Sequence, residues 1–275
     1  VRVVDNKRNY LRVGGATMWN AAGWYRRLRL PRLNHRIVNA RIRQAAAAFQ
    51  PHLVLLTKCE NVTAETVAWL QRTVRAVVFN WYHDNPFWAP NTSMHVLRSL
   101  PLYDAFGIWA RFFFPVLTSL GCRRAVYLPM FFNEERLAVP AAELPGPAPE
   151  PPYGIVFVGF GSPERAALLR HLIDFDLHLW GNWDVLAADD PLRACVRGPI
   201  LNGRDYARTV RRARIAVNVL NLQNRLGSNT RTFEATGLGR LLLTEYTREQ
   251  AEDLFVDGRE IVCFRDPQDL REKAR

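Results

Sequence analysis

The chain has 275 residues, and 37 Lys and Arg against 26 Asp and Glu give a net charge of +11. An apolar share of 48% and a charged share of 23% are those of an ordinary globular protein, which excludes a disordered chain, a collagen and a small disulfide scaffold. The length suits two domains better than one core.

Only three of the basic residues are lysine (Lys7, Lys58, Lys273), which leaves 34 arginines. They are scattered, and the densest clusters, Arg26-Arg27-Leu28-Arg29 and Arg211-Arg212-Ala213-Arg214, are short of a basic arm. The charge therefore reads as a solvated surface under a compositional bias, and no nucleic-acid partner is expected.

In chain order, Asn39 to Phe49 is alanine-rich and predicts a helix. His52 to Thr57 follows Pro51 and reads as a buried strand. Thr63 to Thr73 predicts a helix with Thr63 as its cap and Glu65 in the positive first turn. Strands follow at Val74 to Tyr82, Ala105 to Ala110 and Ala125 to Leu128, with a helix around Phe112 to Leu120. Residues 138–152 hold six prolines and read as a linker between two domains, 1–137 and 153–275.

The second half repeats the alternation. Strands are expected at Tyr153 to Gly159, Leu177 to Trp180, Ile215 to Leu220, Leu241 to Thr244 and Glu260 to Phe264. Helices are expected at Pro163 to Ile173, Tyr206 to Ala213, Thr230 to Thr236, Thr247 to Phe255 and from Pro267 onward. Such alternation implies an α/β fold: two Rossmann-like domains with parallel sheets covered on both faces and a cleft between them. Ligands of such sheets sit at the carboxyl ends of the strands.

Cys59, Cys122, Cys195 and Cys263 lie 63, 73 and 68 residues apart, with no Cys-x-x-Cys and no His cluster at zinc spacing. That spacing predicts reduced thiols, a cytoplasmic setting and no metal site. The opening residues do not read as a secretory signal, and the most apolar stretch, Ala105 to Cys122, is interrupted by Arg111 and Pro115, so no transmembrane segment is expected. The chain starts without Met in an apolar segment and stops at Lys273-Ala274-Arg275 inside a predicted helix, so it reads as a fragment cut at both ends.

Two segments carry chemistry in the second half. Gly159-Phe160-Gly161-Ser162-Pro163-Glu164-Arg165 joins the first strand to the first helix. Glycines there admit a ligand to the backbone, and Arg165 offers a guanidinium fork to a phosphate; an ordinary tight turn would use the same residues. The second segment runs from Asn218 through Asn221 to Gly227-Ser228-Asn229-Thr230-Arg231-Thr232-Phe233-Glu234. Asn229 or Thr230 can cap the helix. Arg231 and Glu234 are three apart, so they either pair on the surface or hold a diphosphate and ribose hydroxyls.

In the first half, Lys58 follows the strand ending at Thr57, and His83 and Asp84 follow the strand ending at Tyr82. A lysine in a chain that nearly always uses arginine suggests a compact point charge facing a phosphate or leaving group. His83 or Asp84 is a candidate general base on an acceptor hydroxyl, with Glu60 close by. Trp19, Trp24, Trp81 and Trp88 either line an acceptor groove or pack the core.

The stretch from Asn229 to Phe264, N-T-R-T-F-E-A-T-G-L-G-R-L-L-L-T-E-Y continuing to D-L-F-V-D-G-R-E-I-V-C-F, resembles the C-terminal half of the CgeB-like (spore maturation protein) glycosyltransferases. Asp266 to Leu270 fits the D-x-x-x-L helix that follows in that family, and the likeness extends back through Tyr153 to Gly159, Arg165, Gly181-Asn182-Trp183, Gly198 and Asp205-Tyr206. It is fainter at Pro51 to Glu60 and Asp84-Asn85-Pro86. The resemblance implies a GT-B fold and a glycosyltransferase of hexosyltransferase type. Its donor would be a nucleotide-diphosphate sugar held by the second domain, and its acceptor a hydroxyl of a glycan, protein or small molecule. It places Glu234 on the ribose, Arg231, Asn229 and the Gly159 turn with Gly161 and Arg165 near the diphosphate, and Glu245 near the sugar. A metal-independent reaction that needs no cofactor is expected; the chain's one Asp-x-Asp, Asp174-Phe175-Asp176, precedes the strand predicted at Leu177 and so lies at the amino end, away from the edge where such sheets place their ligands. Many retaining relatives carry a second glutamate eight positions before the first; here that position is Leu226, so retaining chemistry is not implied. A non-catalytic nucleotide- or glycan-binding protein of the same fold and a basic nucleic-acid-binding α/β protein are the alternatives.

Overall fold

The computed structural model describes residues 1–4, 12–13, 16–17, 30–139 and 153–275. Trp19, Trp24, the first arginine cluster and residues 140–152 of the expected linker lie outside the described residues. The chain divides into two compact units, Val1–Leu128 and Pro129–Arg275.

In the first unit, β1 (Arg12–Val13) and β2 (Ala16–Thr17) form a short antiparallel pair. Helix α1 (Leu30–Phe49) precedes a parallel sheet of β3 (Leu53–Thr57), β4 (Val77–Tyr82), β5 (Ala105–Ile108) and β6 (Ala125–Tyr127), in that order. Between them come α2 (Ala64–Trp69), α3 (Met94–Ser99) and α4 (Phe114–Ser119). Thr63 caps α2, as expected, accepting from the Thr66 N–H at 3.4 Å. Helix α2 then widens into a π-helical turn, Leu70–Val74, which ends on Arg75 in the left-handed region. That turn consumes the first residues assigned to the next strand, so β4 begins at Val77 and not at Val74.

Val38 and Ile42 of α1, Val67, Leu70, Val78, Phe106, Ile108 and Leu117 form the first core. The buried strand expected at His52 to Thr57 forms, but only Leu56 is buried; Leu53 and Leu55 are more than half exposed, as is Val77 beside them. As the edge strand, β3 is covered on one face only, unlike the interior strands of a doubly covered parallel sheet.

The second unit opens with α5 (Glu134–Leu137), capped by Asn133. It contains six parallel strands: β7 (Tyr153–Val158), β8 (Leu177–Trp180), β9 (Val196–Gly198), β10 (Ala213–Asn218), β11 (Leu241–Glu245) and β12 (Val262–Phe264). Their order across the sheet is β12-β11-β10-β7-β8-β9. The helices are α6 (Pro163–Leu169), α7 (Gly203–Arg211), α8 (Thr230–Gly237) and α9 (Pro267–Ala274). The period of two along each strand divides the core. Ile155, Phe157, Val217 and Leu243 face α6 and α9, whereas Val156, Val158, Ala216 and Leu242 face α7 and α8. Both faces are covered, as the near-continuous apolar strands require. The stretch Thr247 to Phe255, read as a helix, is a π-helical turn over Glu249–Leu254.

The expectations of reduced thiols and of no membrane span meet two observations. All four cysteines are free, and among the described residues no helix is long and apolar enough to cross a membrane.

Candidate functional site

In the second unit the polar residues gather at the carboxyl ends of β7, β10 and β11, the central strands. Where β7 stops, the chain turns through Gly159-Phe160-Gly161 into α6, whose cap Ser162 accepts from the Arg165 N–H at 3.3 Å. The glycines here answer to their neighbours. A Cβ on Gly161 would stand 2.7 Å from the Trp183 ring, and one on Gly181, at φ +148°, would stand 1.9 Å from the Gly159 carbonyl oxygen. The turn is thus interlocked with the loop after β8, through Gly159 N–H to Trp180 O at 2.9 Å and Gly161 N–H to Asn182 O at 2.8 Å.

Arg165 folds back over the Phe157 ring, its Nε donating to Val219 O at 3.0 Å and its Nη1 to Phe160 O at 2.8 Å. It thereby ties the β7 turn to the end of β10. Burial, together with the like charge of Arg231, lowers the Arg165 pKa, while Glu245 opposes the shift. Arg231, in the first turn of α8, donates from Nε to Val158 O at 3.3 Å, pairs with Glu234, and lies over the Tyr206 ring with 4.0 Å to the centroid. The pair expected from the i,i+3 spacing is formed, and Glu234 is 7% exposed. The two guanidiniums meet at a strand-end edge, each partly committed to a backbone carbonyl.

Asn229 caps α8, accepting from the Thr232 N–H at 3.1 Å while Thr232 Oγ1 accepts from the Asn229 N–H. Behind it, Asn218 and Asn229 exchange amide hydrogen bonds at 3.1 Å in both directions. Gln250, fully buried, accepts from Thr232 Oγ1 at 2.7 Å and donates to Glu245 O at 3.0 Å. Thr247 Oγ1 and Asn224 Nδ2 hold the carbonyls of Gly227 and Ser228 at 2.9 and 2.7 Å. The buried network is satisfied and fixes the loop before α8 from below. Glu245 ends β11; its Oε2 accepts from the Leu220 N–H at 2.5 Å. Burial raises its pKa, against the pull of that hydrogen bond and of Arg225 and Arg165.

Beneath these groups, a cavity of about 30 Å³ lined by Arg165, Arg231, Tyr206 and Asn218 has room for one water. An open groove of about 470 Å³ in the first unit, lined by Arg72, Arg75, Arg123 and Asp104, is larger. It lies at the amino ends of β4 and β5, opposite the end where parallel sheets place their ligands.

In the first unit, the structure brings Lys58 and Asp84 together at the carboxyl ends of β3 and β4. Lys58 Nζ is 2.6 Å from Asp84 Oδ2, 3.4 Å from Glu60 Oε1 and 3.3 Å from Asn91 Oδ1. Burial pulls its pKa down, but the hydrogen bond and charge of Asp84, with those of Glu60, outweigh it and hold the ammonium above its usual value. Lys58 sits at φ +48°, a conformation few non-glycine residues adopt. Tyr82 donates its single hydroxyl hydrogen to Asn91 O at 2.5 Å, with Glu60 Oε1 3.3 Å from the same oxygen, closing the cluster. The His83 ring stands edge-on to Trp81, 6.1 Å between centroids.

Sequence reasoning singled out Lys58, Asp84, Arg165, Arg231, Glu234 and Glu245, and quoted Tyr206 only as part of the family likeness; it did not single out Asn91, Arg225 or Gln250. A glutamine amid the apolar positions of the predicted Thr247 to Phe255 helix was a legible signal for Gln250; the others are joined by the fold alone. Among the described residues, no group of three or more His, Cys, Asp or Glu is placed to hold a metal ion.

Residues 165–275 match a family model described as glycosyl transferase-like. No curated protein matches the chain. Among solved structures, the α,α-trehalose-phosphate synthase (UDP-forming) of Burkholderia vietnamiensis aligns with a TM-score of 0.58 at 13% identity, over 98% of this chain and 75% of that one. The α,α-trehalose 6-phosphate synthase of Burkholderia multivorans aligns at 0.56 and 14%, over 88% and 67%. A chain of the GtfA/B complex aligns at 0.55 and 14%, over 87% and 52%, so this chain spans about half the length of that relative. At such identities the likeness establishes the fold: two parallel-sheet α/β units, as in GT-B glycosyltransferase structures.

Proposed function

We propose that the chain belongs to a glycosyltransferase that moves a sugar from a nucleotide-diphosphate sugar to a hydroxyl acceptor without a metal ion or cofactor. The observation that carries the reading is the placement of Arg165 and Arg231 at the carboxyl ends of the central strands, within the segment that matches the glycosyl transferase-like model. The two guanidiniums take the diphosphate and neutralise the charge that builds on it as it departs. Asn229 and the Gly159–Gly161 turn set the loops around it. Glu234 accepts from ribose hydroxyls once the ligand draws Arg231 toward phosphate, and Glu245, held beside Leu220 N, faces the sugar.

Asp84 accepts the proton of the acceptor hydroxyl; that oxygen attacks the anomeric carbon, and the bond to the β-phosphate oxygen breaks, with its electron pair leaving on the nucleoside diphosphate. Lys58, 2.6 Å away, aims the Asp84 carboxylate, and His83 is the second candidate base. The acceptor is a glycan, protein or small molecule, and the widely spaced, unbridged cysteines suit a cytoplasmic setting.

The experiment is a thermal-shift series with UDP, GDP, CDP and dTDP and their sugars, followed by nucleotide release with acceptor extracts, with and without a chelator. Stabilisation by one nucleotide family, lost in Glu234→Ala, and release that survives the chelator are expected. Full turnover by both Asp84→Asn and His83→Ala would show the base to be misplaced.

A further inference from the structure

One side chain of the β7 turn does nothing for the fold. Gly159, Gly161 and Gly181 are dictated by close packing, Ser162 caps α6, and Arg165 bridges two carbonyls. Phe160, between the two glycines, is 61% exposed. A single exposed apolar residue is common on protein surfaces and needs no explanation. Three features set this one apart.

Its backbone is rigid. The Phe160 carbonyl accepts from Arg165 Nη1 at 2.8 Å, and the amides on either side of it are bonded to Trp180 and Asn182 carbonyls. The ring is therefore presented from a fixed turn, at little ordering cost to whatever meets it. The same guanidinium that holds the Phe160 carbonyl feels the charge of Arg231 and holds Val219 O at the neighbouring strand end. Finally, the loop that follows Val219 and Leu220 presents Leu222 and Leu226, also exposed, with Arg225 between them. Arg225 and Arg165 both act on Glu245, and Arg231 acts on Arg165, so the exposed ring and leucines sit on the two loops that carry or hold these arginines. A molecule complementary to the arginines and the ring is anionic at one end and flat and aromatic at the other.

We propose that Phe160 is the stacking surface for the base of the bound nucleotide, with Arg165 holding the ring's turn on one side and phosphate on the other. The assignment rests on the reading that the second unit binds a nucleoside diphosphate. Stacking on an aromatic ring tolerates different bases, since each has a π-face. Choice among bases then falls to hydrogen-bonding groups elsewhere on the rim.

The test is calorimetric titration of the full chain, wild type, Phe160→Ala and Phe160→Trp, with UDP, GDP and inorganic pyrophosphate. Phe160→Ala is expected to weaken both nucleotides about 5- to 150-fold, the range for loss of one base–aromatic stack, while pyrophosphate affinity stays within about twofold. Phe160→Trp is expected to restore nucleotide affinity, with quenching of the new indole's fluorescence by UDP but not by pyrophosphate. Unchanged nucleotide affinity in Phe160→Ala overturns the stacking role alone. An equal loss of pyrophosphate also overturns it, because the residue would then act only through Arg165. A wild-type chain that binds pyrophosphate and no nucleotide overturns both this role and the reading beneath it.

Discussion

Replacing Gly181 by alanine probes whether the β7 turn is held by the loop after β8. Two costs combine. At φ +148° an L side chain is strained, a cost of about 1–3 kcal/mol. The new Cβ would also stand 1.9 Å from Gly159 O, whereas real Cβ atoms keep 3.0 Å from such a neighbour, so the two segments must part by at least about 1.1 Å, the difference. That movement acts directly on Gly159 N–H to Trp180 O and Gly181 N–H to Gly198 O, both 2.9 Å, each worth about 0.5–1.5 kcal/mol net. The terms add to about 2–6 kcal/mol, centred near about 4, or about 8–16 °C in the melting temperature of a unit this size. Gly258→Ala is the matched control: its φ is +79°, but its Cβ would meet nothing within 4 Å, so only the conformational cost of about 1–2 kcal/mol applies. Calorimetric melts of both variants read the difference. Gly181→Ala melting no lower than Gly258→Ala would refute the interlock, and with it the rigidity claimed for the Phe160 turn.

Glu245 makes anion binding pH-dependent. Burial raises its pKa, so the native state holds a proton there that the unfolded chain releases near the usual carboxylate value. Its contribution to stability is then full below that value and falls as pH rises through the raised one. A bound diphosphate favours the same protonated form, so pyrophosphate affinity should fall over that window in a pH titration, and Glu245→Gln should flatten the curve and tighten binding at neutral pH. Asn229→Ala removes the α8 cap and takes from Asn218 Oδ1 its donor, while the Asn218 Nδ2 keeps Thr232 and Thr244; we expect a loss of about 2–3 kcal/mol, read as a lower urea midpoint at unchanged slope. Lys58→Met leaves Asp84 and Glu60 without their shared cation. Turnover should drop up to about a hundredfold, the cost of a catalytic group displaced by about 1 Å, while donor affinity by calorimetry, proposed for the second unit, should stay the same.

The strands were legible because parallel, buried segments are written as continuous apolar runs: Tyr153 to Gly159 and Leu177 to Trp180 lie within a residue of β7 and β8. Caps were legible too, since Thr63 and Asn229 are small polar residues just ahead of helical stretches. What escaped has no local period. Strand β9 is three residues long and pairs with β8 across an irregular register. Helices α3 and α5 are shorter than two full turns. The π-helical turns at Leu70–Val74 and Glu249–Leu254 carry the same apolar spacing as an α-helix, so only the backbone distinguishes them. In the site, the residue types pointed to Arg165 and Arg231, but their convergence joins positions 66 apart in the chain. The glycine-rich turn was read for ligand access, whereas Trp183 and Gly181 supply an independent demand for its glycines.

The segment just ahead of the proline-rich stretch matters for anyone who takes the molecule apart. Leu137 and Val139 are buried in the core of the second unit, and the Phe132 ring lies so close over Gly237 that a Cβ there would stand 2.5 Å from it. A fragment started at Tyr153, where the prolines invite the cut, would leave a hydrophobic trough along α7 and α8 open to water. Begun at Pro129, the same fragment carries its own cover, and it is in that form that the second unit merits expression by itself.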